Sequence, residues 1–102
     1  MTIKTYVSED DKNVTISIED RFDFSLHQLF RDAYSQFSKA ETIFTLDLSK
    51  TSYMDSSALG MILLLKDHAE NLFGKVIISQ PNSDVNKILE IAQFHRLFSI
   101  EH

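Results

Sequence analysis

The chain has no cysteine, one proline and two glycines among 102 residues. Without cysteine neither a disulfide nor a thiolate metal site can form, and the lack is compatible with a reducing cytoplasm. So little proline and glycine leaves no linker and no low-complexity segment. The longest strongly apolar run, Leu59 to Leu65 with one Gly, is far too short to span a bilayer. Met1 to Tyr6 contains no apolar signal core. Nor is there a basic cluster. The ten Lys and Arg are scattered and the net charge is −5, which argues against nucleic acid and against an anionic membrane surface as partners. What is present is core material: 43% of the residues are hydrophobic and eight are Phe. A soluble, cytoplasmic, single domain spanning residues 1–102 is expected.

Two segments alternate with the period of a half-buried strand. Asn13 to Ile18 is one, and Asp10-Asp11-Lys12-Asn13 is a turn joining it as a hairpin to an earlier strand near Thr2 to Val7. In Ile43 to Leu48, Phe44, Leu46 and Leu48 face one way, Thr45 and Asp47 the other. Lys75 to Ser79 is a third strand, entered through Gly74, and Leu97 to Ile100 reads as a short edge strand.

Helices fall between these strands. Leu26, Leu29, Phe30, Ala33 and Phe37 recur at helical spacing, and Ser25 followed by Gln28 reads as a capping box. The helix after Ser56 is expected to bury Leu59, Ile62, Leu63, Leu65, Ala69 and Leu72, ending near Gly74. A shorter helix follows Pro81, with Val85, Ile88, Leu89 and Ala92 on one face and Asn82 or Ser83 as its cap. Alternating strands and helices predict right-handed parallel crossovers. Strands covered on both faces read as continuous apolar runs, whereas two strands here alternate. An α/β fold with a mixed β-sheet and helices mainly on one face follows.

The chemistry-bearing residues are few. His27, His68, His95 and His102 include no metal-ligand pair, and His27 and His68 fall on the polar faces of their helices. A nucleophile elbow wants Gly on both sides of the serine, but Met54 and Ala58 stand two residues either side of Ser56. The glycines at 60 and 74 stand alone and form no phosphate-binding loop. No catalytic residue, cofactor or metal is expected. Asp10-Asp11 and Glu19-Asp20 are solvated turns at strand ends. Asp23 stands before a helix at the carboxyl end of a strand, where functional surfaces gather in open parallel sheets, and Asp55 and Ser56 should emerge at the same end.

The stretch Met54-Asp55-Ser56-Ser57-Ala58-Leu59-Gly60 therefore carries most of the functional information. Asp55 or Ser56 caps a helix, at about 1 kcal/mol. A phosphate on a serine there adds roughly two negative charges and three strong acceptors beside the positive end of the helix dipole. The helix tolerates that charge, and a partner docked against Asp55 and Asp23 does not.

This string resembles the signature loop of the anti-sigma factor antagonists, the bacterial single-domain STAS proteins, in which Asp-Ser-Ser/Thr-Gly-Leu-Gly starts a helix. Thr45-Leu46-Asp47-Leu48-Ser49 is similar to the family's preceding strand, Phe22-Asp23 to its Gly-x-Leu/Phe-Asp segment, and residues 76–98 to its last strand-helix pair. The resemblance implies a STAS-like fold and a protein that binds an anti-sigma factor, often a serine kinase of the GHKL ATPase type, so freeing a sigma factor. It implies phosphorylation at Ser56, with release of the complex and a serine phosphatase to restore it; Ser57 is a second candidate acceptor. It places Asp23, Met54, Asp55, Ser56 and Ser57 at the partner surface. Two positions depart from the pattern: Asp20 replaces a strand-ending Gly, and Ala58 replaces a Gly, adding a methyl where a partner backbone is expected to approach. A STAS-like accessory subunit of a lipid-transport ATPase, not phosphorylated, is the alternative, and a serine hydrolase is the third.

Overall fold

The computed structural model describes residues 2–102. In chain order the elements are β1 (Ile3–Val7), β2 (Asn13–Ile18), β3 (Asp20–Phe22), α1 (His27–Ser35), β4 (Ile43–Asp47), β5 (Thr51–Met54), α2 (Ser56–Asn71), β6 (Lys75–Ser79), α3 (Ser83–Ile91) and β7 (Ser99–Glu101). Short 3-10 turns precede α1 and follow α3. Among the described residues no helix is long and apolar enough to cross a membrane.

Five strands form one sheet in the order β1-β2-β4-β6-β7. β1 is antiparallel to β2, as the hairpin pattern predicts, and the other neighbours are parallel. From β2 onward the chain always steps to the next strand in the same direction. Right-handed crossovers taken repeatedly in one direction put every helix on the same face. The burial agrees. Val14, Phe44 and Val76 lie in one row and Ile16, Leu46 and Ile78 in the next, all buried under the helices. The opposite face carries Thr15, Ile43, Thr45, Asp47 and Ile77, half-buried, with Ser17 buried among them.

Several expectations are corrected. α2 turns Ala58, Met61, Ile62, Leu65 and Ala69 into the core, leaving Leu63 39% exposed and Leu59 only partly buried. Met61 to Leu65 is apolar throughout, so the run does not dictate its own inward face. In α1, Tyr34 rather than Leu29 completes the buried stripe, and Leu29 is half exposed. The Ser25–Gln28 capping box does not form. Asp23 caps the 3-10 turn instead, and Gln28 donates to Asp32 one helical turn on, at 2.8 Å. His68 is not on a polar face: it lies between the rings of Tyr34 and Phe44, with Nε2 2.7 Å from the Phe37 carbonyl. The last strand starts at Ser99, and Leu97 is half exposed.

α2 ends one residue earlier than a C-terminal glycine stop implies. Phe73 takes the left-handed position (φ 59°), and its N–H and that of Gly74 close onto the carbonyls of Glu70 and Ala69. Asp20 is likewise left-handed (φ 72°). It adopts the conformation a glycine supplies freely, which Asp tolerates better than most residues.

Candidate functional site

A second, two-stranded parallel sheet unforeseen in the sequence builds the site. β3 and β5 pair with Arg21 opposite Tyr53 and Phe22 opposite Met54. Neither strand is long enough to show a period. β5 is anchored from both sides: the buried Thr51 hydroxyl donates to the Ile18 carbonyl at 2.8 Å, and Asn82, which caps α3, donates to the Thr51 carbonyl at 2.9 Å.

Because the pairing is parallel and, past an irregularity between Asp20 and Arg21, in register, the next residues, Asp23 and Asp55, leave the strands side by side. The Asp55 N–H points to the Phe22 carbonyl at 3.4 Å. Each aspartate then makes the same turn. Asp23 Oδ1 accepts from the Ser25 N–H at 3.0 Å and the Ser25 hydroxyl at 2.5 Å. Asp55 Oδ1 accepts from the Ser57 N–H at 3.1 Å, the Ser57 hydroxyl at 2.6 Å and the Ala58 N–H at 3.2 Å. The pattern of an apolar residue, Asp, any residue and Ser occurs three times, at 22–25, 46–49 and 54–57, and Asp47 likewise accepts from the Ser49 N–H at 3.0 Å. The pattern marks where such turns form, and with three copies in the sequence it does not say which two lie side by side.

The Ser25 hydroxyl and N–H, followed by the Arg21 guanidinium, hold the Asp23 carboxyl below the usual carboxylate range. Arg21 also lies over the Tyr53 ring, 4.5 Å from its centroid. Phe24, the counterpart of Ser56 in the repeat, is 66% exposed and stacks on His27. Neither Phe24 nor Tyr53 is singled out by its sequence context, and both flank the paired aspartates.

The five residues assigned to a partner surface do not lie at one depth. Ser56 is the first residue of α2 and is exposed. Asp55 and Ser57 are half-buried, as is Asp23. Met54 is 1% exposed, packed into the core, so it supports this surface from beneath. Ala58 is fully buried, and its methyl meets the core rather than a partner, correcting the expectation for that position. Between the start of α2 and α3 runs an apolar groove of about 250 Å³, walled by Leu59, Ile88, Ile91 and Ala92 with Met54 at its base. Ser56 and Asp55 stand at its lip.

The two hydroxyls are not equivalent. Ser57 donates its proton to the capping carboxylate, so a phosphate there would remove that donor and set two negative groups against each other. Ser56 carries no such duty in the cap.

Replacing Asp55 with Ala should lower the stability by about 1 kcal/mol, a fall of roughly 4–8 °C in Tm for a chain this size. Asn caps as well as Asp, so Asp55→Asn should recover most of the loss in thermal unfolding. An equal fall for both variants would contradict the capping role.

The sequence matches the STAS domain family over residues 3–102. It is 43% identical over 100 residues to a STAS-domain containing protein of Pseudomonas aeruginosa, a match covering 98% of this chain and 99% of that one. The fold is similar to that of the anti-sigma factor antagonist SpoIIAA in its unphosphorylated form, with a TM-score of 0.83 at 21% identity over 96% of this chain and 86% of the other. An anti-sigma factor antagonist from Mycobacterium paratuberculosis gives 0.75 at 14% identity, covering 97% and 85%. The STAS domain of a SulP transporter from Vibrio cholerae gives 0.68 at 21%, covering 84% and 70%. At these identities the structural likeness speaks to the fold.

Proposed function

This chain belongs to the STAS domain family, and on that premise we propose that it is an anti-sigma factor antagonist switched by phosphorylation of Ser56. In this reading it is a binding module with no catalytic step of its own. Its unmodified form binds a serine-kinase-type (GHKL ATPase) anti-sigma factor through Asp23, Asp55, Ser56 and Ser57, supported by Met54. The kinase phosphorylates Ser56 and a serine phosphatase reverses the modification.

The observation that carries the reading is the placement of Ser56: an exposed serine at the first position of a sixteen-residue helix, beside two capping aspartates. A phosphate there meets the positive end of the helix dipole, so the fold stays intact. Outward, it adds about two negative charges to a surface already carrying Asp23 and Asp55. A partner fitted to the unmodified surface is expelled without any refolding. The structural relatives that are anti-sigma factor antagonists support the partner class.

The test is to mix the protein with serine-kinase-type anti-sigma factors and ATP, following intact mass and complex formation. Wild type and Ser56→Ala should bind, and only wild type should gain a phosphoryl group. Ser56→Asp should bind more weakly by about tenfold or more, a difference of ~1.4 kcal/mol. Binding of Ser56→Asp as tight as wild type would sink the switch.

A further inference from the structure

Gly60 sits in the middle of the first half of α2, although glycine is the poorest helix former after proline. Two internal demands usually retain a glycine: a left-handed backbone, or a neighbour too close for a Cβ. Gly60 meets neither. Its φ is not positive, and a Cβ built on it meets nothing within 4 Å. The residue is exposed, so the space it leaves open faces outward.

That outward face has a definite character. Ser56, Gly60, Leu63 and Asp67 follow the i, i+4, i+7, i+11 spacing of one helix face, and all four are exposed. Leu64, beside them, is half exposed. Ser56, Gly60 and Leu64 also form one i±4 ridge, and the missing side chain at 60 cuts a notch in it one turn from Ser56. On the α3 side lies the apolar groove, whose outer wall, Ile91, is 84% exposed. The ends of the face are acidic, with Asp55 at the groove and Asp67 about three turns along. The adjacent cation of Lys66 is held by Glu70 at 2.8 Å.

We infer that an amphipathic helix of the partner, apolar in its middle and cationic toward its ends, lies across α2 with its backbone seated against Gly60 and one large apolar side chain in the groove beside Ser56. The notch provides the close approach, Leu63 and the groove provide the apolar contact, and Asp55 and Asp67 select the charge. The close backbone approach looked for at position 58 is thereby found one half-turn on, at 60. A phosphate on Ser56 would then stand on the same ridge, beneath the docked helix. The inference rests on the antagonist reading above.

The test uses the serine-kinase-type anti-sigma factor that the mixing experiment selects, with Gly60→Ala, Gly60→Met and Asp67→Lys. Because nothing in the fold occupies the space above Gly60, Gly60→Ala should raise Tm by roughly 4–8 °C. Gly60→Met should unfold no lower than wild type. Binding should move the other way: Gly60→Met and Asp67→Lys should each weaken the complex by about tenfold or more. Suppose wild type binds, Ser56→Asp does not, and Gly60→Met binds within about twofold of wild type. The antagonist reading then stands and this inference alone is overturned. It is equally overturned if Gly60→Ala or Gly60→Met lowers Tm, since the space would not be open. A panel in which wild type binds no anti-sigma factor overturns both.

Discussion

Gly74→Ala should destabilise the protein by about 3 kcal/mol or more, out of a total of 5–15 kcal/mol usual for a domain. The cause is crowding rather than conformational freedom, because Gly74 does not have positive φ. A Cβ at this position would stand 2.9 Å from the Thr42 carbonyl carbon and closer still to its oxygen. Those are backbone atoms at the start of β4, and they are held in place. The Thr42 carbonyl accepts the Lys75 N–H at 3.2 Å, and the Glu41 N–H donates to the Leu72 carbonyl at 2.7 Å. Thr42 itself is fully buried, with its hydroxyl donating to the Lys39 carbonyl at 2.6 Å. No flexible side-chain tip is available to give way, so either the exit of α2 or the entrance of β4 must move. Urea unfolding should show a much lower midpoint with the slope preserved. The same substitution at Gly60 should have the opposite sign, so the two variants measured together separate a glycine kept for internal contact from one that is not. A Gly74→Ala midpoint equal to wild type would refute the contact.

Phe22→Ala should cost about 3–5 kcal/mol, the usual range for deleting a buried aromatic side chain. Phe22 is fully buried, its ring 5.1 Å from that of Phe30, so it joins β3 to α1. It also stands in register with Met54, and its carbonyl faces the Asp55 N–H. Two effects are therefore expected from one side chain. Denaturant unfolding should show the stability loss. Under conditions where the variant is still folded, partner binding should weaken as well, because loosening β3 against β5 lets Asp23 drift from Asp55. A loss under about 1 kcal/mol for Phe22→Ala would mean the ring is not part of the packed core.

The site was partly legible before the structure. An acid followed by two hydroxyls ahead of an apolar run points to a helix start, and Asp55 is indeed its cap. What local pattern did not convey is that Arg21 to Ser25 repeats the geometry of Tyr53 to Ser57 on a neighbouring strand. β3 and β5 have three and four residues, and each is a strand only because the other is there. The exposed Phe24 and Tyr53 beside the aspartates are consequences of that pairing. So is the difference between Ser56 and Ser57, which are alike as letters. One hydroxyl turns back to the cap and the other belongs to an exposed residue that takes no part in it.

Most elements of the main sheet, the helices between them and the burial of one sheet face follow from the chain's own periodicity and turn residues. Alternation in β2 and β4 follows from the two-residue repeat of an extended backbone in contact with water on one side only. The hand of each crossover follows from strand twist, whereas the one-directional order of the strands was fixed by their pairing. Tertiary contact decided the rest. Five consecutive apolar residues from Met61 to Leu65 satisfy several inward faces equally, and only packing against β6 and α1 selects Met61, Ile62 and Leu65. Glycine is the same letter at 60 and 74, yet one faces open space and the other a carbonyl from a strand more than thirty positions away. Periodicity is local because it comes from covalent geometry. Which atoms meet depends on partners distant along the chain, and no local pattern encodes them.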